Sequence, residues 1–135
     1  MSGKDFAKRH LSTDSFRTDN WILNIFDGWY DPCPFNSDYD PLIHIDGLVT
    51  RWNQNTFVNP PYSNPLPWVK KAIYENKKYG CTVAMLLKHD TSTKWYSLLH
   101  EAGAKILLVS GRLKHQTKTS CAFPSVIVIL KRRDK

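Results

Sequence analysis

Three uninterrupted apolar runs dominate the second half of the chain: Thr82-Val83-Ala84-Met85-Leu86-Leu87, Lys105-Ile106-Leu107-Leu108-Val109 and Val126-Ile127-Val128-Ile129-Leu130. Each has strand length and none alternates with polar residues, the pattern of strands covered on both faces. Thr56-Phe57-Val58 is a shorter run of the same kind, and Leu42-Ile43-His44-Ile45 reads as a short strand ending at Asp46-Gly47. Helical spacing appears between these runs. Trp21, Ile22, Ile25 and Phe26 predict a short helix, with Thr18 or Asp19 as its cap. Pro65 and Pro67 introduce a second helix, Trp68 to about Lys78, which Gly80 closes. Thr93 to Ala102 predicts a third, stopped by Gly103. Trp21, Trp68 and Trp95 lie on the apolar faces of these helices and read as core residues. Strands alternating with helices predict an α/β fold: a mainly parallel sheet with helices on both faces. Residues 1–15 read as a flexible lead-in, and residues 16–135 as a single domain.

In sheets of that kind ligands bind at the carboxyl ends of the strands. The turns at Asp31, Asp46, Asn59 and Lys88 all follow predicted strands, so all four are expected along one rim. Asn59-Pro60-Pro61-Tyr62 is the most informative of them. Two successive prolines can continue neither a ladder nor a helix, because each lacks the N–H and has a fixed φ. The turn is therefore stiff. It offers the Asn59 side-chain carbonyl, backbone carbonyls freed from pairing, and an aromatic ring nearby. Those groups suit a flat substrate that carries an amino group.

Charge adds a second constraint. Lys and Arg number 19 against 12 Asp and Glu, a net +7, which favours a polyanionic partner. The tail Lys131-Arg132-Arg133-Asp134-Lys135 reads as a solvated end that could touch phosphate. Cys33, Cys81 and Cys121 are far apart and form no CxxC pair, so neither a zinc site nor a disulfide framework is expected; reduced thiols suit a cytoplasmic setting. The histidines lack metal-ligand spacing, and no metal is expected. No apolar run is long enough to span a bilayer, and residues 1–10 have no apolar signal region, so no membrane association is expected.

Taken in order, these residues resemble a known family. The Asn59-Pro60-Pro61-Tyr62 turn is similar to the [DNS]PP[YFW] motif of S-adenosylmethionine-dependent amino-methyltransferases. The wider chain resembles the phage-type DNA N6-adenine methyltransferases, the phage Dam-like family. The matching features are Thr18-Asp19 before a helix, Asp31 after Tyr30, and Asp46-Gly47-Leu48 with Trp52. Trp68-Val69 with Lys71-Ala72, and Leu86-Leu87 leading to Asp90-Thr91-Ser92-Thr93-Lys94-Trp95, follow the turn. Gly111-Arg112-Leu113-Lys114 and Phe123-Pro124-Ser125 complete the set.

The resemblance implies a Rossmann-like methyltransferase fold of minimal size, S-adenosylmethionine as cofactor, and the N6 amine of adenine in double-stranded DNA as acceptor. It implies a catalytic turn of Asn59, Pro60, Pro61 and Tyr62, and cofactor contacts from Thr18, Asp31, Pro32, Asp46 and Asn59. Lys88, Arg112, Lys114, His115 and Lys118 are the expected phosphate contacts. A virus-encoded or prophage protein acting in a host cytoplasm fits this reading. Asp31-Pro32-Cys33-Pro34-Phe35-Asn36 has none of the glycines common in first cofactor loops. The segment from Gly111 to Phe123 leaves little room for a target-recognition hairpin, which a homodimer could supply by sharing recognition. Cytosine N4, RNA adenine and protein glutamine are the rival acceptors. A catalytically inactive relative that binds nucleic acid or cofactor is the rival class.

Overall fold

The computed structural model describes residues 17–34, 46–111, 113–114 and 124–132. Helix α1 spans Asn20–Ile25, strand β1 Asn55–Val58, helix α2 Leu66–Tyr79 and strand β2 Thr82–Lys88. Helix α3 spans Lys94–Glu101, strand β3 Lys105–Leu108 and strand β4 Ser125–Leu130. The strand predicted at Leu42–Ile45 and the lead-in at 1–15 lie outside the described residues.

The four strands form one sheet in the order β1-β2-β4-β3. The pairing of β1 with β2 is parallel, with Phe57 opposite Ala84 and Val58 opposite Met85. The pairings of β2 with β4 and of β3 with β4 are antiparallel. The sheet is therefore mixed, and the expectation of a mainly parallel sheet is corrected. The reason is the position of β4. It enters beside the end of β3 and runs back between β3 and β2, and neighbours joined without a crossover must be antiparallel. β1, β2 and β3 still point the same way, so they share a carboxyl-end rim. Tyr30 extends that rim: it forms a single parallel bridge with Thr56, through Tyr30 N–H to Asn55 O (3.0 Å) and Phe57 N–H to Tyr30 O (2.8 Å).

Both faces are covered. Val58, Val83, Met85, Leu87, Val126 and Val128 pack on one side against Trp68, Val69 and Ala72 of α2 and Trp95 and Leu99 of α3. Phe57, Ala84, Leu86 and Ile127 pack on the other against Ile22 of α1 and Leu113. Phe26 stacks on Phe57 there, with centroids 4.7 Å apart. The alternation of the two sets along each strand is the pleat itself.

Two further expectations are corrected. The run at Lys105–Val109 is not a covered strand. β3 is the sheet edge, and Leu107 and Leu108 are 41% and 72% exposed. Trp21 is not core but 47% exposed, because a two-turn helix lying on a sheet buries only one residue per turn, here Ile22 and partly Phe26. α2 matches its sequence signals closely, with Pro at its start and Gly80 at φ 72° closing it.

Candidate active site

β1 delivers the chain directly into the Asn59 turn. Pro60 and Pro61 are buried, while Asn59 and Tyr62 are half-buried and the Tyr62 hydroxyl is turned into the protein. Pro65 accepts from Val69 N–H (3.0 Å) at the start of α2, so the turn is clamped between a strand and a helix. Asn59 Nδ2 donates to Thr18 Oγ1 at 3.0 Å. Thr18 thus engages the nitrogen end of the amide and fixes the orientation of its carbonyl oxygen. Two residues 41 positions apart, both expected at the site, are brought together by this bond.

The Asp31 and Asp46 turns also meet. Asp31 Oδ1 accepts from Cys33 N–H and Asp46 Oδ1 from Leu48 N–H, each at 2.9 Å, so both carboxylates close their own tight turns. Gly47 lies against the backbone of Pro32 so closely that a Cβ there would overlap the Pro32 carbonyl. Glycine is required here by close approach. Behind the pair, Trp52 Nε1 donates to Gly47 O (2.8 Å), and Trp52 N–H donates to Glu75 Oε1 (2.7 Å). Glu75 is fully buried on α2 and pairs with Lys71 Nζ at 3.1 Å. A buried carboxylate on one helix therefore positions the tryptophan that pins the turn. Burial pushes the Asp31 carboxyl up to about 6, against a smaller opposing effect from the Cys33 N–H.

Asp19 was expected only as a helix cap. Its side chain makes no capping bond. Instead Oδ2 accepts from Lys114 N–H (3.2 Å), and Oδ1 is buried with no hydrogen-bond partner among the described residues. An orphaned carboxylate oxygen beside Thr18 is a candidate feature of the site that the sequence alone did not indicate. The only signal was its place next to Thr18.

Lys88 lies exposed at the end of β2, and Lys114 is exposed beside Asp19. Both lie on the side of the carboxyl-end rim. Arg112, His115 and Lys118 lie outside the described residues. Among the described residues no cluster could hold a metal ion, and no helix is long and apolar enough to cross a membrane. Cys33 and Cys81 are buried.

A family model described as DNA N-6-adenine-methyltransferase (Dam) matches residues 43–133. The match includes the Asn59 turn and Asp46, and begins beyond Thr18 and Asp31. Among curated proteins, the DNA N-6-adenine-methyltransferase of Haemophilus phage HP1 is 43% identical over 64 residues, covering 47% of this chain and 37% of that protein. The protein of the same name from Escherichia phage T1 is 38% identical over 68 residues, covering 48% of this chain and 28% of that protein. The chain thus matches well under half the length of these relatives. No solved structure matches it significantly.

Proposed function

Because the chain belongs to the DNA N-6-adenine-methyltransferase (Dam) family, we propose that it transfers a methyl group from S-adenosylmethionine to the N6 amine of adenine in DNA. The observation that carries this reading is the Asn59 amide, oriented by Thr18 at the end of β1 and followed by two buried prolines. The names of the two phage relatives support adenine over the rival acceptors.

The adenine amine is a weak nucleophile because its lone pair is delocalised into the ring. Asn59 Oδ1 and the Pro60 carbonyl accept its two hydrogens. That favours a tetrahedral nitrogen and stabilises the positive charge that grows there. Acceptors held in place beforehand contribute about 10²–10³ in rate for one well-placed group. Holding the amine in line supplies the rest as an entropic gain. The base must leave the duplex to reach the turn. The Tyr62 ring, its hydroxyl buried, offers a face for stacking, worth about 1–3 kcal/mol. Lys88 and Lys114, with Arg112, His115 and Lys118, would hold phosphates.

S-adenosylmethionine, when bound, supplies an electrophilic methyl group. The residues present fit it: the Asp31 and Asp46 carboxylates sit on abutting turns, and the buried Asp19 oxygen lacks a donor among the described residues. These groups, with Thr18, Pro32 and Asn59, would accept from its amino and hydroxyl groups and pack against it.

The test is transfer of labelled methyl to unmethylated DNA, followed by mass spectrometry of the nucleosides. N6-methyl-2′-deoxyadenosine is expected. Asn59→Ala should lose about 10²–10³ in turnover with the fold intact. Binding of the donor without label in any DNA or RNA would sink the enzymatic reading.

A further inference from the structure

The strands' opposite ends carry a second feature. There the side chains of Arg51, Lys77, Lys78, Lys105, Lys131 and Arg132 are all exposed. They come from four segments of the chain and converge. The Arg51 guanidinium lies 3.9 Å over the Tyr79 ring, and Lys78 Nζ is 5.7 Å from that ring and 5.4 Å from the ring of Tyr74. Tyr74 is 48% exposed and meets Tyr79 edge-on at 6.3 Å. The Arg132 side chain lies over Gly80, with Cγ 3.8 Å from where a Cβ would stand. Beside Arg51 and Tyr79 opens a cleft of about 620 Å³ whose wall includes the exposed amides Asn53, Gln54 and Asn55.

Among the described residues no carboxylate forms an ion pair with these cations. The one ion pair among the described residues is Lys71 with the buried Glu75. Among the described residues Asp27 and Glu101 are the exposed carboxylates at this end, and neither pairs with these cations. The negative end of the α2 dipole accounts for Lys77 and Lys78 in its last turn. It does not account for Arg51 or Arg132, which arrive from other segments. Cations held over tyrosine rings, flanked by side-chain amides, are the donor set of a phosphate backbone.

We propose that this face is a second DNA-binding surface, which grips the phosphates of a duplex segment other than the one presented to the Asn59 turn. β2 has seven residues, which separates the two rims by roughly 20 Å. DNA has a persistence length of about 50 nm, so a segment held at one rim does not fold back to the other. The face therefore tethers the domain to neighbouring DNA. The choice of DNA among polyanions rests on the proposed adenine substrate; the cationic face itself does not.

The experiment measures binding of an adenine-free labelled duplex against salt concentration, for the wild type and for Arg51→Gln/Lys78→Gln/Arg132→Gln. The slope of log K against log salt should shrink by about 0.9 for each cation that contacts a phosphate. Thermal melting and donor binding of the variant should match the wild type, and Asn59→Ala should keep the wild-type slope. An unchanged slope in the triple variant overturns the proposal. So does equally tight, equally variant-sensitive binding of a polyglutamate peptide, which would point to an acidic protein partner. Methyl transfer to a saturating adenine-containing oligonucleotide should survive in the triple variant. Its absence from the wild type would defeat the methylation reading and leave the slope test standing.

Discussion

Asp31 sits where burial opposes ionisation. Its carboxyl ionises near 3.8 in a solvated chain and at about 6 in the folded protein. Between those values the folded state holds a proton that the unfolded chain has released. Stability therefore falls as pH rises from about 4 to about 6, and is level above that. Asp31→Asn should stabilise the fold at neutral pH, by up to about 3 kcal/mol, with no gain in acid; melting curves from acid to neutral pH would check this. A ligand that donates to the ionised carboxylate should bind more weakly as pH drops through about 6. Titration calorimetry with S-adenosylmethionine across that range tests it, and Asp31→Asn should flatten the dependence. Asp19 belongs at the same scale. Asp19→Asn should weaken donor binding several-fold, because the orphaned oxygen is the acceptor that such a ligand would use. Neither property was legible in the sequence, since burial and orphaned oxygens are made by residues distant in the chain.

The punctuation of single elements was far more legible. Proline at the start and glycine at the end bounded α2, and the double proline marked the end of β1, because these residues constrain their own backbone. The sequence also named Thr18, Asp31, Asp46 and Asn59, but not the contacts that join them. The abutment of the Asp46 and Asp31 turns depends on one position. Gly47→Ala would force the new methyl into the Pro32 backbone, which cannot swing aside as a side chain can. The variant should lose about 1–3 kcal/mol of stability and a larger share of donor affinity than of DNA affinity. Parallel denaturation and binding measurements would separate the two. On α2, Glu75→Gln keeps an acceptor for Trp52 but removes the charge paired with Lys71. A loss of about 1–3 kcal/mol is expected by denaturant titration.

At the scale of the whole molecule, sheet order was the least legible property. An apolar run such as Val126–Leu130 announces a buried strand, yet nothing local says that it will pair antiparallel on both sides. Likewise Lys105–Val109 reads as apolar as its neighbours but ends at the edge. The observed order predicts a gradient of protection. Amides of β2 and β4, each paired on both sides, should exchange only on global unfolding, and those of β3 sooner; hydrogen exchange resolved by residue would show it. The line from Glu75 through Trp52 and Gly47 to Pro32 runs from the core to the proposed cofactor turns. It makes the methyl donor part of the fold's thermodynamics. A ligand seated on those turns should raise the melting temperature with its concentration, adding about 2.7 kcal/mol at a hundred times its dissociation constant. The fluorescence of Trp52, whose indole N–H is bonded to Gly47, would be the natural gauge of that coupling.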